Sequence, residues 1–143
     1  MGADGEAARR LPDFLAHKGA FLDSMDLRLD EIAGDRVHGH IDLGVEHHTP
    51  WGVVHGGVYA SVIESVASTG ASAAVIERGE FAMGVSNTTD FLRPVREGRV
   101  DILATPVHQG RSQQLWQVVL TRAEDGKEVA RGSVRLQNVP LER

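Results

Sequence analysis

The spacing of apolar residues separates one long helical segment from regions with a strand pattern. Residues 57–77 contain no proline and many alanines, and their apolar residues recur at the spacing of one helix face. Gly79 comes shortly after this segment, at a position where glycine commonly ends a helix. We therefore predict one long helix over residues 57–77.

Alternating apolar and polar residues predict strands on both sides of this helix. Before it, the alternation between Leu27 and Leu43 is interrupted at Gly34-Asp35, which indicates a hairpin. After it, segments rich in Val, Leu, Thr and Phe predict four strands, over residues 81–93, 99–108, 114–122 and 128–138. Asp125-Gly126 in the last connection favours a tight turn. This order predicts an α+β fold, with an antiparallel sheet of about five or six strands packed on one helix.

The length of the chain and the absence of a linker or internal repeat suggest a simple domain organisation. A chain of 143 residues suits one domain. Residues 25–143 are predicted to form that domain. Residues 1–24 are predicted to form an N-terminal tail and a short helical segment, whose apolar residues are Leu11, Phe14, Leu15, Phe21 and Leu22.

Composition and charge argue against several classes of protein. A formal net charge of −5 is unfavourable for a nucleic-acid-binding protein, which needs a basic face. The chain has no cysteine, which excludes disulfides, thiolate zinc sites and cysteine nucleophiles. No apolar stretch approaches the length of a membrane span, and residues 1–10 lack the apolar core of a signal peptide. We therefore expect a cytoplasmic protein without nucleic-acid or membrane partners.

Histidine and aromatic residues outside the helix have simple structural interpretations. His47-His48 is predicted to lie in a surface loop, because adjacent side chains rarely bind one metal ion. His38 and His40 alternate on one predicted strand and are expected to be exposed. Trp116 and Phe91 are expected in the core, with the alternative that one of these aromatic residues lines a pocket for an aryl group. We predict no metal site.

The predicted helix has two unlike faces, and Glu64 lies on the less apolar one. One face is predicted to pack on the sheet and carries Tyr59, Val62, Val66, Thr69, Ala73 and Ile76. Around Glu64 lie small residues, namely Gly57, Ala60, Ser61, Ser68 and Ala71. No lysine or arginine is three or four residues from Glu64 to pair with it. Two interpretations fit: an ordinary exposed glutamate, or a carboxylate that a partner subunit or a ligand confines, which would make its charge useful.

The start of the helix predicts a site for partial negative charge. Gly56-Gly57 would expose backbone N–H groups at the positive end of the helix dipole, where a carbonyl oxygen that becomes an oxyanion could bind. Glu64 lies about 12 Å further along the helix axis. Either a neighbouring subunit supplies the glutamate, or the substrate spans the gap. Antiparallel pairing of two helices through the small residues would bring the groups together and predicts a dimer.

Four segments, in this order, resemble the hotdog-fold thioesterases over about residues 25–138. They are His48-Thr49-Pro50-Trp51-Gly52-Val53-Val54-His55-Gly56-Gly57, Asp90-Phe91-Leu92-Arg93-Pro94-Val95, Gly110-Arg111-Ser112 and Val129-Ala130-Arg131-Gly132-Ser133. The chain is most similar to the 4-hydroxybenzoyl-CoA thioesterases that use glutamate, which are related to the phenylacetate-pathway thioesterases. The resemblance implies a sheet wrapped around the helix and hydrolysis of an acyl-CoA, such as an aromatic acyl-CoA from aromatic degradation. It also implies a homodimer across the helix, a tetramer of two dimers, and no cofactor, because coenzyme A is part of the substrate.

The resemblance also assigns roles to individual residues. Glu64 would attack the thioester carbonyl or activate water, and the Gly56 N–H would polarise that carbonyl. His55 would orient the site, and Ser68 would donate a hydrogen bond near the acid or the acyl group. The residues assigned to binding of the substrate and of the coenzyme A phosphates are Arg93, Arg111, Ser112, Gly57 and His48.

Thr49 departs from the pattern of the family. The family usually has Asn or Gln at this position, six residues before the histidine, where an amide helps to position the acid or the water. The neighbouring His48 is the candidate to replace that amide. The change predicts a different acyl preference or a slower enzyme.

Two other functions are compatible with the same fold. A hydratase or dehydratase of acyl thioesters would have a His-rich loop punctuated by prolines, whereas this loop has only Pro50 and its His55 immediately precedes the helix. A non-catalytic acyl-CoA-binding protein would need an effector module, and the segment before Met25 is too short for one. No Gly-x-Ser-x-Gly motif points to a serine hydrolase.

Overall fold

The structure, a computed structural model, describes residues 19–141. Its helices are α1 (Gly19–Asp23) and α2 (Gly56–Val75), with 3-10 helices at Val45–His47 and Ile76–Arg78. Its strands are β1 (Arg28–Ala33), β2 (Arg36–Leu43), β3 (Glu80–Phe91), β4 (Gly98–Gln109), β5 (Gln113–Arg122) and β6 (Glu128–Pro140). The part of the predicted N-terminal helical segment before Gly19 lies outside the described residues. Within that range, no helix is both long and apolar enough to cross a membrane.

The six strands form one antiparallel sheet in the order β1-β2-β4-β5-β6-β3. Helix α2 contacts all six strands, so the sheet curves around it. The predicted α+β fold is confirmed, as are the hairpin of β1 and β2 and the four strands after the helix. Gly126, in the turn between β5 and β6, has a φ of 73°, a left-handed conformation that glycine adopts without strain.

The predicted long helix is confirmed, with a difference at its end. Helix α2 stops at Val75, and residues Ile76–Arg78 tighten into a 3-10 turn. Gly79 then takes a left-handed conformation with a φ of 74°, and its N–H donates to the carbonyl of Ile76 at 3.0 Å. The glycine therefore ends the helical region, as predicted, because its N–H makes the last hydrogen bond of the 3-10 turn.

Two residues of α2 have surroundings that differ from those predicted. Ala71 is fully buried, because the adjacent Gly70 lets the helix approach the Trp116 ring: a Cβ on Gly70 would be 2.5 Å from that ring. The carbonyl of Ala71 also accepts a hydrogen bond from the Gln114 side chain at 2.9 Å. Thr69, predicted to pack on the sheet, instead lines a cavity beside Glu64. The curved sheet buries a wider part of the helix than a flat sheet would.

Trp116 is fully buried, as predicted, but three other expectations are wrong. The Phe91 side chain is 59% exposed, because it lies at the end of β3, beyond the main core. His47 is buried, since its Nδ1 accepts the Gly44 N–H at 3.1 Å inside the loop. His38 and His40 are only half-exposed. His40 Nδ1 lies 2.8 Å from a carboxylate oxygen of Asp30, and this hydrogen bond lowers the pKa of Asp30.

Strand β3 forms one edge of the sheet, with β6 as its neighbour among the described strands. All residues from 83 to 86 are exposed, including the apolar side chains of Met83 and Val85. The register with β6 shifts between Gly84 and Ser86, which indicates a β-bulge. A strand of 12 residues with an open edge and exposed apolar side chains is a surface suited to pairing with another chain.

Candidate active site

His55 closes the start of helix α2 and leaves one backbone donor available. Its Nδ1 accepts the Gly57 N–H at 2.8 Å, and its own N–H donates to the His47 carbonyl at 2.8 Å. Among residues 19–141, no group accepts the Gly56 N–H. This N–H lies at the positive end of the helix dipole and can donate to a ligand oxygen.

A small pocket of about 230 Å³ lies beside Gly56. Its walls are Val54, Gly56, Tyr59, Phe91, Leu92, Arg93 and Pro94. The rings of Tyr59 and Phe91 are 6.0 Å apart between centroids and are inclined by 47°. The Tyr59 hydroxyl is buried without a hydrogen-bond partner in the described part of the chain, and burial raises the pKa of Tyr59 to about 12. The pocket is therefore aromatic and apolar, with the Gly56 backbone and Arg93 as its polar groups.

Glu64 lies on the exposed face of α2, against strand β3. A Cβ on Gly84 would be 3.5 Å from the carboxylate carbon of Glu64, so a side chain at this position of β3 would be in contact with the carboxylate. No hydrogen bond or ion pair joins Glu64 to another side chain between residues 19 and 141. The carboxylate is therefore available to a ligand or to another chain.

Glu64 also lines a cavity of about 910 Å³. Its apolar walls are formed by Leu22, Leu27, Leu29, Ile76, Phe81 and Leu141. Hydroxyl side chains of α2 line it beside Glu64, at positions Ser65, Ser68, Thr69 and Ser72. The remaining lining residues come from β1 and β2 and are Arg28, Asp30, His40 and Asp42. A cavity with apolar walls and a line of hydroxyls can hold a large acyl group that carries polar substituents.

Ser68 differs from the other hydroxyl residues around it. The hydroxyls of Ser65 and Thr69 donate to helix carbonyls four residues earlier, at 2.7 and 2.8 Å. Ser72 accepts the backbone N–H of Ala82 at 3.0 Å. Ser68 makes no hydrogen bond through its side chain with any described residue. It lies one helical turn after Glu64, where its hydroxyl can donate to the carboxylate or to an acyl group.

Within one chain, Glu64 and the Gly56 N–H belong to different sites. Glu64 lines the large cavity, whereas Gly56 lines the small pocket. The eight residues between them correspond to a rise of about 12 Å along the helix. A reacting carbonyl could not contact both groups of a single chain.

The loop before α2 uses Thr49 and His48 to hold its own conformation. Thr49 Oγ1 accepts the Trp51 N–H at 3.2 Å, and the Thr49 N–H donates to the Val53 carbonyl at 2.8 Å. His48 Nε2 lies 2.6 Å from the Arg96 carbonyl and donates to it. That bond ties the loop to the connection between β3 and β4. It gives His48 a structural partner, so the ring is not free to act through Nε2 as a replacement for the missing amide.

The three residues expected near the coenzyme A phosphates lie in two places. Arg93 donates through its guanidinium to the Glu128 carbonyl at 2.6 Å, beside the start of β6. Arg111 and Ser112 lie in the turn between β4 and β5, where the Ser112 carbonyl accepts the Asn138 N–H near the end of β6. The nine steps along β6 from residue 129 to residue 138 span about 30 Å. In one chain, Arg111 and Ser112 therefore lie together, and both lie far from Arg93.

The sequence reasoning missed several residues of these two sites. Phe91 was expected first in the core, and the structure instead places it in a wall of the pocket beside Gly56, in line with the alternative that an aromatic residue lines a pocket. Ser65, Thr69 and Ser72 recur at helical spacing, and that periodicity could have revealed the hydroxyl line. Leu27 and Leu29 reach the large cavity from β1, which no local pattern could indicate.

Comparison with known proteins identifies the family. The model of the thioesterase superfamily matches residues 52–129. The chain is 43% identical over 121 residues to the putative esterase Rv1847 of Mycobacterium tuberculosis, which covers 83% of this chain and 86% of that protein. It is 28% identical over 101 residues to the 1,4-dihydroxy-2-naphthoyl-CoA hydrolase of Escherichia coli, with 71% and 74% covered. The chain therefore belongs to the thioesterase superfamily.

Solved structures support the same conclusion. The structure of the Mycobacterium tuberculosis putative esterase has a TM-score of 0.82 at 41% identity, covering 86% of this chain and 98% of that one. The thioesterase HI1161 of Haemophilus influenzae has a TM-score of 0.80 at 26% identity, with 87% and 86% covered. The expected hotdog fold is confirmed, and the protein is a thioester hydrolase of the acyl-CoA thioesterase type.

Proposed function

We propose that this protein hydrolyses an aromatic acyl-CoA, such as 4-hydroxybenzoyl-CoA, to the free acid and coenzyme A. The observation that carries the proposal is Glu64, a carboxylate in the wall of a large cavity with no side-chain partner among residues 19–141. The apolar walls and the line of hydroxyls suit a ring with polar substituents. A relative is named as a hydrolase of the CoA ester of a dihydroxynaphthoyl group, which is a larger aromatic acyl group of the same kind.

In the proposed reaction, the thioester carbonyl oxygen accepts the Gly56 N–H. The helix dipole then stabilises the negative charge that develops on this oxygen in the transition state. Glu64 acts in one of two ways. As a general base, it removes a proton from water, whose oxygen attacks the carbonyl carbon. As a nucleophile, it forms an anhydride with the acyl group, which water then hydrolyses. In both cases the carbon–sulfur bond breaks, and coenzyme A leaves as the thiol after taking up a proton.

The proposed site is shared between two chains. Because one helix cannot bring both groups to one carbonyl, Glu64 of one subunit would act with Gly56 of the partner subunit. His55 would hold the N–H groups of that second helix in place. The open edge of β3 lies beside Glu64 and supports pairing of two subunits at this position. We propose a homodimer of this kind and a tetramer formed from two such dimers.

The proposed binding of coenzyme A also draws on more than one chain. Arg93 lines the pocket beside Gly56, so it would bind near the reacting end of the substrate in the same subunit. Arg111 and Ser112 lie about 30 Å away along β6. They would contact the phosphates of a substrate held at another subunit's site. The Gly57 N–H already donates to His55. The contribution of Gly57 would therefore be the space that its missing side chain leaves at the helix start.

The test of the proposed function is a thiol-release assay with a panel of aromatic and alkyl acyl-CoA substrates. The variant Glu64→Gln keeps the size of the side chain and removes its charge, and we expect kcat to fall by about 100-fold or more. The control Glu77→Gln removes an exposed carboxylate at the end of the helical region and should keep native turnover. Native kcat in Glu64→Gln would reject the proposal. Hydrolysis with labelled water under single turnover would separate the two roles of Glu64, since only the nucleophilic route places label in the enzyme.

A further inference from the structure

Asn87 on strand β3 is hydrogen-bonded to helix α2 one turn before Glu64. Its Nδ2 donates to the carbonyl of Ala60 at 3.0 Å. In an α-helix, the carbonyl of residue 60 also accepts the backbone N–H of residue 64. The Ala60 carbonyl oxygen therefore accepts two hydrogen bonds, one from the Asn87 amide and one from the backbone N–H of Glu64.

Thr89 fixes the orientation of the Asn87 amide. Its hydroxyl donates to Asn87 Oδ1 at 2.6 Å, which leaves Nδ2 directed toward Ala60. Thr89 lies opposite Gly132 on β6, and a Cβ on Gly132 would be 2.9 Å from the Thr89 hydroxyl oxygen. The absence of a side chain at Gly132 therefore makes room for this hydroxyl. The contacts form a continuous connection from β6 through β3 to the helix.

A second bond attaches β3 to the helix on the other side of Glu64. The Ala82 N–H donates to Ser72 Oγ at 3.0 Å, two turns after Glu64. Between these two attachments lie the β-bulge and Gly84, which faces the Glu64 carboxylate without a side chain in between. Strand β3 is thus held to the helix before and after Glu64, and its register is irregular only next to Glu64.

We propose that Asn87 is a positioning residue, which holds the turn that carries Glu64 at a fixed place relative to β3. This inference rests on the proposed function, in which Glu64 acts on a substrate bound partly by another subunit. Since β3 is the edge that would meet that subunit, the bond from Asn87 sets the distance from Glu64 to the shared site. A shift of about 1 Å in a reacting group can lower a rate 100-fold, so the bond would act mainly on kcat.

The test compares Asn87→Asp with the wild-type protein. Aspartate has nearly the same shape as asparagine but no N–H to donate to Ala60, and its charge is repelled by that carbonyl. We expect kcat to fall by about 10- to 100-fold with KM within about twofold. We also expect faster hydrogen exchange at the Glu64 amide, measured by NMR. Thr89→Val should change both quantities in the same direction, and Thr89→Ser, which keeps the hydroxyl, should restore them.

Gln114→Met provides the matched control. Gln114 also donates from a side-chain amide to a helix carbonyl, that of Ala71, but this bond is buried and lies about two turns after Glu64, outside the turn that carries Glu64. This variant should lower the melting temperature while kcat per folded molecule and exchange at Glu64 stay native. An equal loss of kcat in Gln114→Met would reduce the role of Asn87 to general stability and overturn the inference.

Two further outcomes would also overturn it. One is native kcat in Asn87→Asp, and the other is unchanged exchange at the Glu64 amide. Glu64→Gln separates these failures from a failure of the proposed function, because only the latter would leave Glu64→Gln fully active. The exchange measurement does not depend on catalysis and decides in either case whether Asn87 holds the turn.

Discussion

The ring of Phe91 lies directly on the backbone of Gly56. A Cβ built on Gly56 would be 2.5 Å from the Phe91 ring, closer than two carbon atoms can approach. The same glycine carries the N–H that has no acceptor among the described residues. Phe91 therefore defines one side of the space in which a carbonyl oxygen would reach this N–H.

The variant Gly56→Ala should consequently be a poor enzyme. The added methyl group must displace the Phe91 ring or the start of α2, and either shift moves the backbone donor. We expect kcat/KM to fall by about 10- to 100-fold, somewhat less than the roughly 100- to 1,000-fold found when one oxyanion donor is removed, because the donor is displaced and not lost. Steady-state kinetics measures the loss. The double variant Gly56→Ala with Phe91→Ala removes the clash and should recover part of the activity; native kinetics in the single variant would show that the contact has no catalytic consequence.

Mixing two inactive variants tests the shared site directly. If Glu64 of one subunit acts with Gly56 of the partner subunit, a mixed dimer of Glu64→Gln and Gly56→Ala contains one site with both defects and one intact site. Random exchange of equal amounts should then restore about a quarter of the native activity, because half of the dimers are mixed. The measurement is thiol release after subunit exchange. No recovery, with exchange verified by mass spectrometry, would place both residues in the same subunit's site.

Arg93→Ala should act mainly on substrate binding. Arg93 lines the pocket beside Gly56 and would contact the substrate near its reacting end, a contact present before and during the reaction. We expect KM to rise by about 10-fold with little change in kcat. Arg36→Ala is the control, since Arg36 is an exposed arginine paired with Glu31 and remote from the pocket. A loss confined to kcat would contradict the binding role.

The turn between β5 and β6 should show a defined dependence of stability on pH. The side chain of Arg122, together with the Lys127 N–H, holds the pKa of Asp125 at about 2, below its ordinary value of 3.8. Because the pKa is depressed in the folded state, this stabilisation is complete above the ordinary value and is lost as pH falls toward about 2. Asp125→Asn should therefore melt below the wild type near neutral pH, with the gap closing over that acidic range. Glu124→Gln, with the same charge change in the same turn, should show a smaller gap at neutral pH.

The fold was largely predictable from local patterns, but the burial of individual helix residues was not. The alternation in β1 and β2, the helical spacing of α2 and the glycine at position 79 each depend on near neighbours in sequence. The burial of Ala71 depends instead on Trp116 and Gln114, which approach it from β5. These contacts with β5 cannot be predicted from the sequence of α2 alone.

The candidate site was predictable in its chemistry and less so in its contacts. Glu64 and Gly56 could be selected from the helix alone, and the rise per residue already separated them. Phe91 could not, because its role depends on the close approach of β3 to the helix start. The hydrogen bond of His48 could not be predicted for a similar reason: its partner is the Arg96 carbonyl, 48 residues away in the chain.

The open edge of β3 also has a consequence for how the protein is made in a cell. If two subunits pair along β3 as proposed, each new chain displays, until it meets another copy, a strand of 12 residues with an unpaired edge and the exposed side chains of Met83 and Val85. Such a strand can pair with any similar edge, so unassembled chains are targets for aggregation and for quality-control proteases. The yield of enzyme should therefore depend on how fast subunits find each other after synthesis, and slow expression at low concentration would be the less favourable condition.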